Sequence, residues 1–183
     1  MGSSAVAAFA AGIEGHEVLG LGAAVGPGRL SVMEQHVFDE VAQALRGLLP
    51  SELGSLQVKA HRYGIKVWFG PEKATREHYE AQIIGAKHVP EATVLALEVG
   101  FHAENRDPAE NERTLARLTA KEKTWRKALG PEATAAPFID DRNGWQRLSE
   151  VWADPDLGDP DLAIEVATRL TDYITMLEPI RAG

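Results

Sequence analysis

The chain has 183 residues, 44% of them hydrophobic, enough for one globular domain with a buried core. It contains no cysteine, which excludes disulfides, thiol nucleophiles and cysteine-ligated zinc or iron–sulfur centres and fits a reducing cytoplasm. With 27 acidic against 19 basic residues the formal net charge is −8, which disfavours nucleic acid and anionic membranes as partners, and no apolar run approaches the ~20 residues of a bilayer span.

Residues 1–32 carry seven of the 17 glycines and only three charged side chains, Glu14, Glu17 and Arg29. The start lacks the basic residues of a secretory signal, and the glycines at 20, 22 and 26 do not match G-x-G-x-x-G. This stretch is read as a flexible Gly/Ala-rich extension ahead of a single domain over 33–183.

From Met33 the signals become regular. "MEQHVFDEVAQALRGLLP" sets Val37, Phe38, Val41, Leu45 and Leu48 on one helical stripe, with Ser31 as cap and Pro50 closing the run. "LQVKAHRYGIKVWFG" changes to period two: Leu56, Val58, Ala60, Ile65, Val67 and Phe69 face one way across a turn at Tyr63-Gly64. "EHYEAQIIG" and "TVLALEVGFHAE" form a second strand pair. Asp107 then caps a helix with Pro108 in its first position and Gly130-Pro131 as its stop. Its buried stripe is Leu115, Leu118, Trp125 and Leu129. "TAAPFIDDRNGWQRLSEVW" reads as a hairpin turning at Asn143-Gly144. A last helix, opened by Asp159-Pro160, lines up Ala163, Val166, Ala167, Leu170, Tyr173, Ile174 and Leu177.

Strands in adjacent pairs call for a mainly antiparallel sheet of two to three hairpins, over about 55–104 and 135–152. Helices at 33–49, 108–129 and 161–178 are expected to cover one face, leaving the other free. The fold class is α+β.

The free face would carry Lys59, His61, Lys66, Trp68, Glu80, Glu98 and His102. A pairing that sets Glu80 opposite Glu98 and His78 opposite Gly100 makes Glu80, Glu98 and His78 a candidate three-ligand metal site, because two opposed glutamates need a cation, a shared proton or a solvated gap. In that register His102 meets Arg76. Glu98 and His102 stand four residues apart, ~13 Å along a strand, too far to share an ion. The plainer reading is a sheet face with Lys59, His61, Trp68, Glu80, Glu98 and His102 meeting a partner or a small polar ligand.

Nucleophile, P-loop and zincin motifs are absent, and "LEVG" at Glu98 lacks the lysine that an E-x-K nuclease would need. "DPDLGDPD" (154–161) is interrupted by two prolines and reads as helix capping by Asp159, not as a calcium loop. The basic residues of "RTLARLTAKEKTWRK", among them Arg117 and Lys121, are interrupted by glutamates and read as a solvated helix side.

Strands "HYEAQIIG" and "TVLALEVGFHAE", the helix through "KTWRKALG", the strand around "WQRLSEVW" and the terminal helix ending "YITMLEPI" together resemble, over about residues 76–180, a class of uncharacterised bacterial α+β domains. Those domains lie at the C-terminus of some restriction-endonuclease-like proteins. The resemblance lies in element order and apolar positions, brings no catalytic motif, and implies an accessory or binding module.

The sequence therefore points first to a soluble cytoplasmic binding module, pairing with a protein or with itself as a homodimer more readily than with nucleic acid. The alternative is a small metal-dependent hydrolase or metal-binding protein; an accessory factor in DNA defence or processing comes third. Catalytic residues are not identifiable. No cofactor is predicted, with a divalent metal as the one open option.

Overall fold

The structure, a computed structural model, describes residues 30–139 and 143–182, with side chains from residue 37 onward. The expected extension over 1–32 falls almost wholly outside these bounds. Helix α1 (Leu30–Leu48) takes Ser31 into its first turn, so the expected cap is part of the helix. Its buried stripe is Val37, Phe38, Val41, Ala42 and Leu45. Leu48, placed on that stripe by the helical period, is 40% exposed at the last turn, past the edge of the core.

Strands β1 (Leu56–His61) and β2 (Gly64–Phe69) pair as their alternation predicts, with Ala60 opposite Ile65, Val58 opposite Val67 and Leu56 opposite Phe69. The two turn residues are Arg62 and Tyr63; Gly64 already belongs to β2, facing His61. Strands β3 (Glu77–Gly85) and β4 (Leu95–Ala103) are nine residues each.

The single helix expected over 108–129 is two, α2 (Pro108–Thr119) and α3 (Glu122–Leu129). Asp107 caps α2 as expected, accepting from the Ala109 N–H at 3.0 Å. At the break, the Lys121 N–H bonds back to the Leu118 carbonyl at 2.9 Å, a tight three-residue closure, and Trp125 Nε1 donates to the same oxygen at 2.8 Å. A carbonyl shared in this way ends the i→i−4 ladder. Strands β5 (Thr134–Pro137) and β6 (Gln146–Ala153) follow, then α4 (Leu162–Ala182), which buries all seven residues expected of it. The β5–β6 connection is longer than a two-residue turn, although Gly144 does adopt the positive φ of 63° that a turn glycine supplies.

The fold is α+β, with a six-stranded, wholly antiparallel sheet ordered β1-β2-β3-β4-β6-β5. The first four strands run as a meander. The chain then passes through α2 and α3, and β6 returns beside β4, leaving β1 and β5 as the edges. Ile65, Val67, Tyr79, Val99, Phe101 and Leu148 share one apolar core with Phe38 and Leu45 of α1, Leu118 of α2, Trp125 of α3 and Leu170 and Ile174 of α4. Each such side chain contributes roughly 1.5–3 kcal/mol by leaving water.

Period two sends the intervening residues of β3 and β4 to the opposite side. These are His78, Glu80 and Gln82 on β3 with Glu98, Gly100 and His102 on β4. The expectation of a free, wet face fails at its centre: His78, Glu80, Glu98 and His102 are all 0–2% exposed. Buried charges need partners, and the site is built from that requirement.

Candidate metal centre

The register decides which polar groups meet. β3 lies on β4 two residues away from the expected pairing, so His78 faces His102, Glu80 faces Gly100 and Gln82 faces Glu98. A shift of two keeps every side chain on its expected face but changes every partner. The ladder runs on past β4, the Glu104 N–H donating to the Arg76 carbonyl at 2.8 Å, so Glu104 and not His102 sits beside Arg76.

Gly100 is the space-maker. A Cβ there would collide with the Leu148 carbonyl and the Ser149 backbone on β6, so β4 and β6 approach more closely than a side chain would permit. With nothing projecting opposite Glu80, its carboxylate reaches both imidazoles.

Four donor groups converge: His78, Glu80, His102 and Glu104 each present one ligand atom, all within 4.8 Å of one another. His78 Nε2 is 3.1 Å from Glu80 Oε2 and 3.7 Å from Glu104 Oε1. His102 Nδ1 is 3.2 Å from Glu80 Oε2 and 3.8 Å from Glu104 Oε1. A tetrahedral ion with bonds of ~2.0–2.2 Å separates its donors by about 3.3–3.6 Å, and these four spacings straddle that value. Although His102 Nδ1 is close to Glu80, it is out of hydrogen-bonding alignment; neither ring nitrogen of this fully buried imidazole has a hydrogen-bond partner, nor has His78 Nδ1.

Lys66 contributes the nearest cation. It stands opposite Glu80 on β2, with Nζ 3.0 Å from His78 Nε2, 3.2 Å from Glu80 Oε2 and 3.2 Å from Glu104 Oε2. An ammonium has only protons to give, so His78 Nε2 is the acceptor in that contact. Burial works against the Lys66 charge, but Glu80 and Glu104 outweigh it and hold its pKa above the usual lysine value.

Glu98 stands behind His102. Its carboxylate accepts from Gln82 Nε2 at 2.8 Å, the Ser149 hydroxyl at 2.6 Å and Arg147 Nη1 at 3.3 Å, and lies 3.5 Å from His102 Nε2. Burial alone would raise its pKa, but His102, Arg147 and Ser149 bring it down to about 2. His102 is shifted the other way: burial is overcome by Glu98, Glu104 and Glu80, which hold its pKa well above the ordinary histidine value. Glu80, likewise buried, is held well below the carboxylate range by His102 and Lys66. A carboxylate behind an imidazole whose other nitrogen faces the donor cluster is the arrangement that orients metal-binding histidines.

Of the expected trio, Glu80 and His78 are in the cluster, while Glu98 is engaged by protein groups outside it. Of the expected binding face, Trp68 is buried, its Nε1 donating to the Pro71 carbonyl at 2.8 Å, and only Lys59 and His61 are exposed. His61 Nε2 reaches to 4.0 Å from Glu80 Oε1. Glu104 lies outside the expected trio, although alternation puts it on the same face as Glu98 and His102, and the supporting Gln82, Arg147 and Ser149 were not singled out by the sequence. The signal available was a repeated H-x-E, His78-Tyr79-Glu80 and His102-Ala103-Glu104, on neighbouring antiparallel strands. Arg117 and Lys121 lie apart, on and just after α2, with Arg117 Nη2 donating to Thr114 at 3.3 Å. Among the described residues no helix is long and apolar enough to cross a membrane.

Comparison with protein-family models, with curated proteins and with solved structures finds no match to this chain.

Proposed function

We propose that this protein binds one divalent first-row metal ion of the zinc type through His78, Glu80, His102 and Glu104. The observation that carries the reading is the convergence of four buried donor groups within 4.8 Å, one of them a fully buried imidazole whose two nitrogens face glutamate oxygens but make no aligned hydrogen bond. Two imidazoles with two carboxylates suit zinc, iron or manganese better than the all-oxygen sites of calcium and magnesium. Four protein donors would complete a tetrahedron, whereas catalytic zinc keeps a position for water. Burial of all four adds to this, so binding is favoured over hydrolysis. We take residues 33–183 as one cytoplasmic domain with its helices against the apolar face.

One competing reading has an observation in its favour. Lys66 already supplies positive charge to the cluster, so the groups could form a metal-free ion network. Docking of a partner or second copy on this face retains only Lys59 and His61 as accessible residues, and an accessory role in DNA processing rests on the resemblance alone.

The test is native mass spectrometry, with elemental analysis, of the full chain purified without chelators and then titrated with zinc. One ion per chain is expected, lost in Glu80→Gln and in His102→Ala. Wild-type protein that stays bare at saturating zinc would leave the ion network as the answer.

A further inference from the structure

Taking the metal reading as its basis, we infer that Lys66 is a displaceable internal cation: its ammonium and the metal ion occupy the same donors in turn, which makes the site one for reversible loading.

The argument is one of shared atoms. Lys66 Nζ contacts His78 Nε2 at 3.0 Å, Glu80 Oε2 at 3.2 Å and Glu104 Oε1 at 3.4 Å. Those are three of the four atoms between which four spacings, 3.1, 3.7, 3.2 and 3.8 Å, straddle the tetrahedral value. A histidine nitrogen has one lone pair, so His78 Nε2 cannot accept from Lys66 and bind a metal together. An ammonium held 3.0–3.2 Å from these donors would also repel an incoming dication. Ion binding thus requires the lysine head to leave.

The way out exists. The Lys66 side chain is 20% exposed while Glu80 is 1% exposed, so Lys66 comes in from the wetter side of the cluster. Its flexible four-carbon stem can carry the charge outward while remaining packed. Without an ion, the returning ammonium keeps two buried carboxylates paired, which is why the empty cluster tolerates its burial. Loading then costs the expulsion of Lys66, and release is helped by its return.

The experiment compares the full-length wild-type chain with Lys66→Met, which keeps the stem and removes the charge, and Lys66→Arg, which keeps the charge. Zinc affinity is read by competition with a chromophoric chelator. Lys66→Met is expected to bind zinc tighter by about tenfold or more, and Lys66→Arg no tighter than wild type. Wild type and Lys66→Met binding equally well, or Lys66→Met binding less tightly, would overturn the displacement while leaving the metal site standing. Zinc binding by neither would remove the site itself, and the displacement with it.

If Lys66→Met folds only when zinc is present, a second measurement on the wild type takes over. Acetic anhydride labelling of Lys66, read by peptide mass spectrometry, should rise severalfold on saturation with zinc. Unchanged labelling at saturating zinc would overturn the inference.

Discussion

His78 and His102 oppose each other directly across β3 and β4, with ring centroids 5.9 Å apart and planes inclined at 63°. Each is followed two residues later by a glutamate of the cluster. Because the strands are antiparallel, Glu80 and Glu104 fall on opposite sides of the histidine pair, giving a local two-fold in which each strand supplies one imidazole and one carboxylate. Lys66 sits on the β2 side of this dyad, Glu98 and Arg147 on the β6 side.

Glu98 is expected to support the metal without binding it. Glu98→Gln keeps the shape and the contact with Gln82 but loses the charge facing His102. Zinc should still bind one per chain, with affinity reduced by about 10–100-fold in chelator competition. Loss of stoichiometric binding would move Glu98 into the ligand set.

Two glycines should respond in opposite directions. Gly100→Ala drives a methyl into the β6 backbone and should cost about 1–3 kcal/mol in urea unfolding. Gly47, on α1 with nothing within 4 Å of its would-be Cβ, should gain about 0.4–1 kcal/mol on replacement by alanine. Equal effects at both positions would show that the close β4–β6 approach is not a constraint.

Acid should loosen the start of β4. The Asp154 carboxylate accepts from the N–H groups of Thr93, Val94 and Leu95 and from the Thr93 hydroxyl, and these bonds hold its pKa well below the usual value. A carboxylate depressed on folding adds stability that is complete above its unfolded pKa of ~3.9 and disappears as pH falls through the folded value. Amide exchange at Val94 and Leu95, corrected for intrinsic rates, should therefore lose protection on acidification below about pH 4. Asp154→Asn, which tolerates the positive φ of 46° at this position, should show weaker protection at neutral pH and little further change.

The core assignment is tested by one helix residue against another. Trp125→Ala empties a fully buried site and removes one of the two hydrogen bonds to the Leu118 carbonyl, with an expected loss of about 3–5 kcal/mol. Leu48→Ala, at the exposed end of α1, should stay within about 0.5 kcal/mol. Chemical denaturation of both variants decides the matter.

Period two made the faces of β1 to β4 legible, and the helical period gave seven of the eight buried residues of α4, missing only Leu162 at its start. Register was not legible, because alternation is unchanged by a slip of two; Glu80 was paired with Glu98 in the reading and with Gly100 in the fold. Burial of the polar face was hidden for a related reason: Glu and His at alternate positions look like a wet surface whether or not anything lies over them. The break between α2 and α3 left no mark, since Leu118 and Trp125, seven residues apart, lie on one side of a continuous helix too.

The histidine dyad also bears on how the sheet finds its alignment. Moving β3 along β4 by two residues, the slip that the apolar pattern tolerates, would set Glu80 against Glu98 and leave His102 facing Arg76. That exchanges a balanced cluster for two like-charged pairs, one acidic and, with His102 protonated, one basic. The charges thus serve as a key that fits only one position of the ladder, and a chain with all of them neutralised should fold into more than one alignment of the same strands.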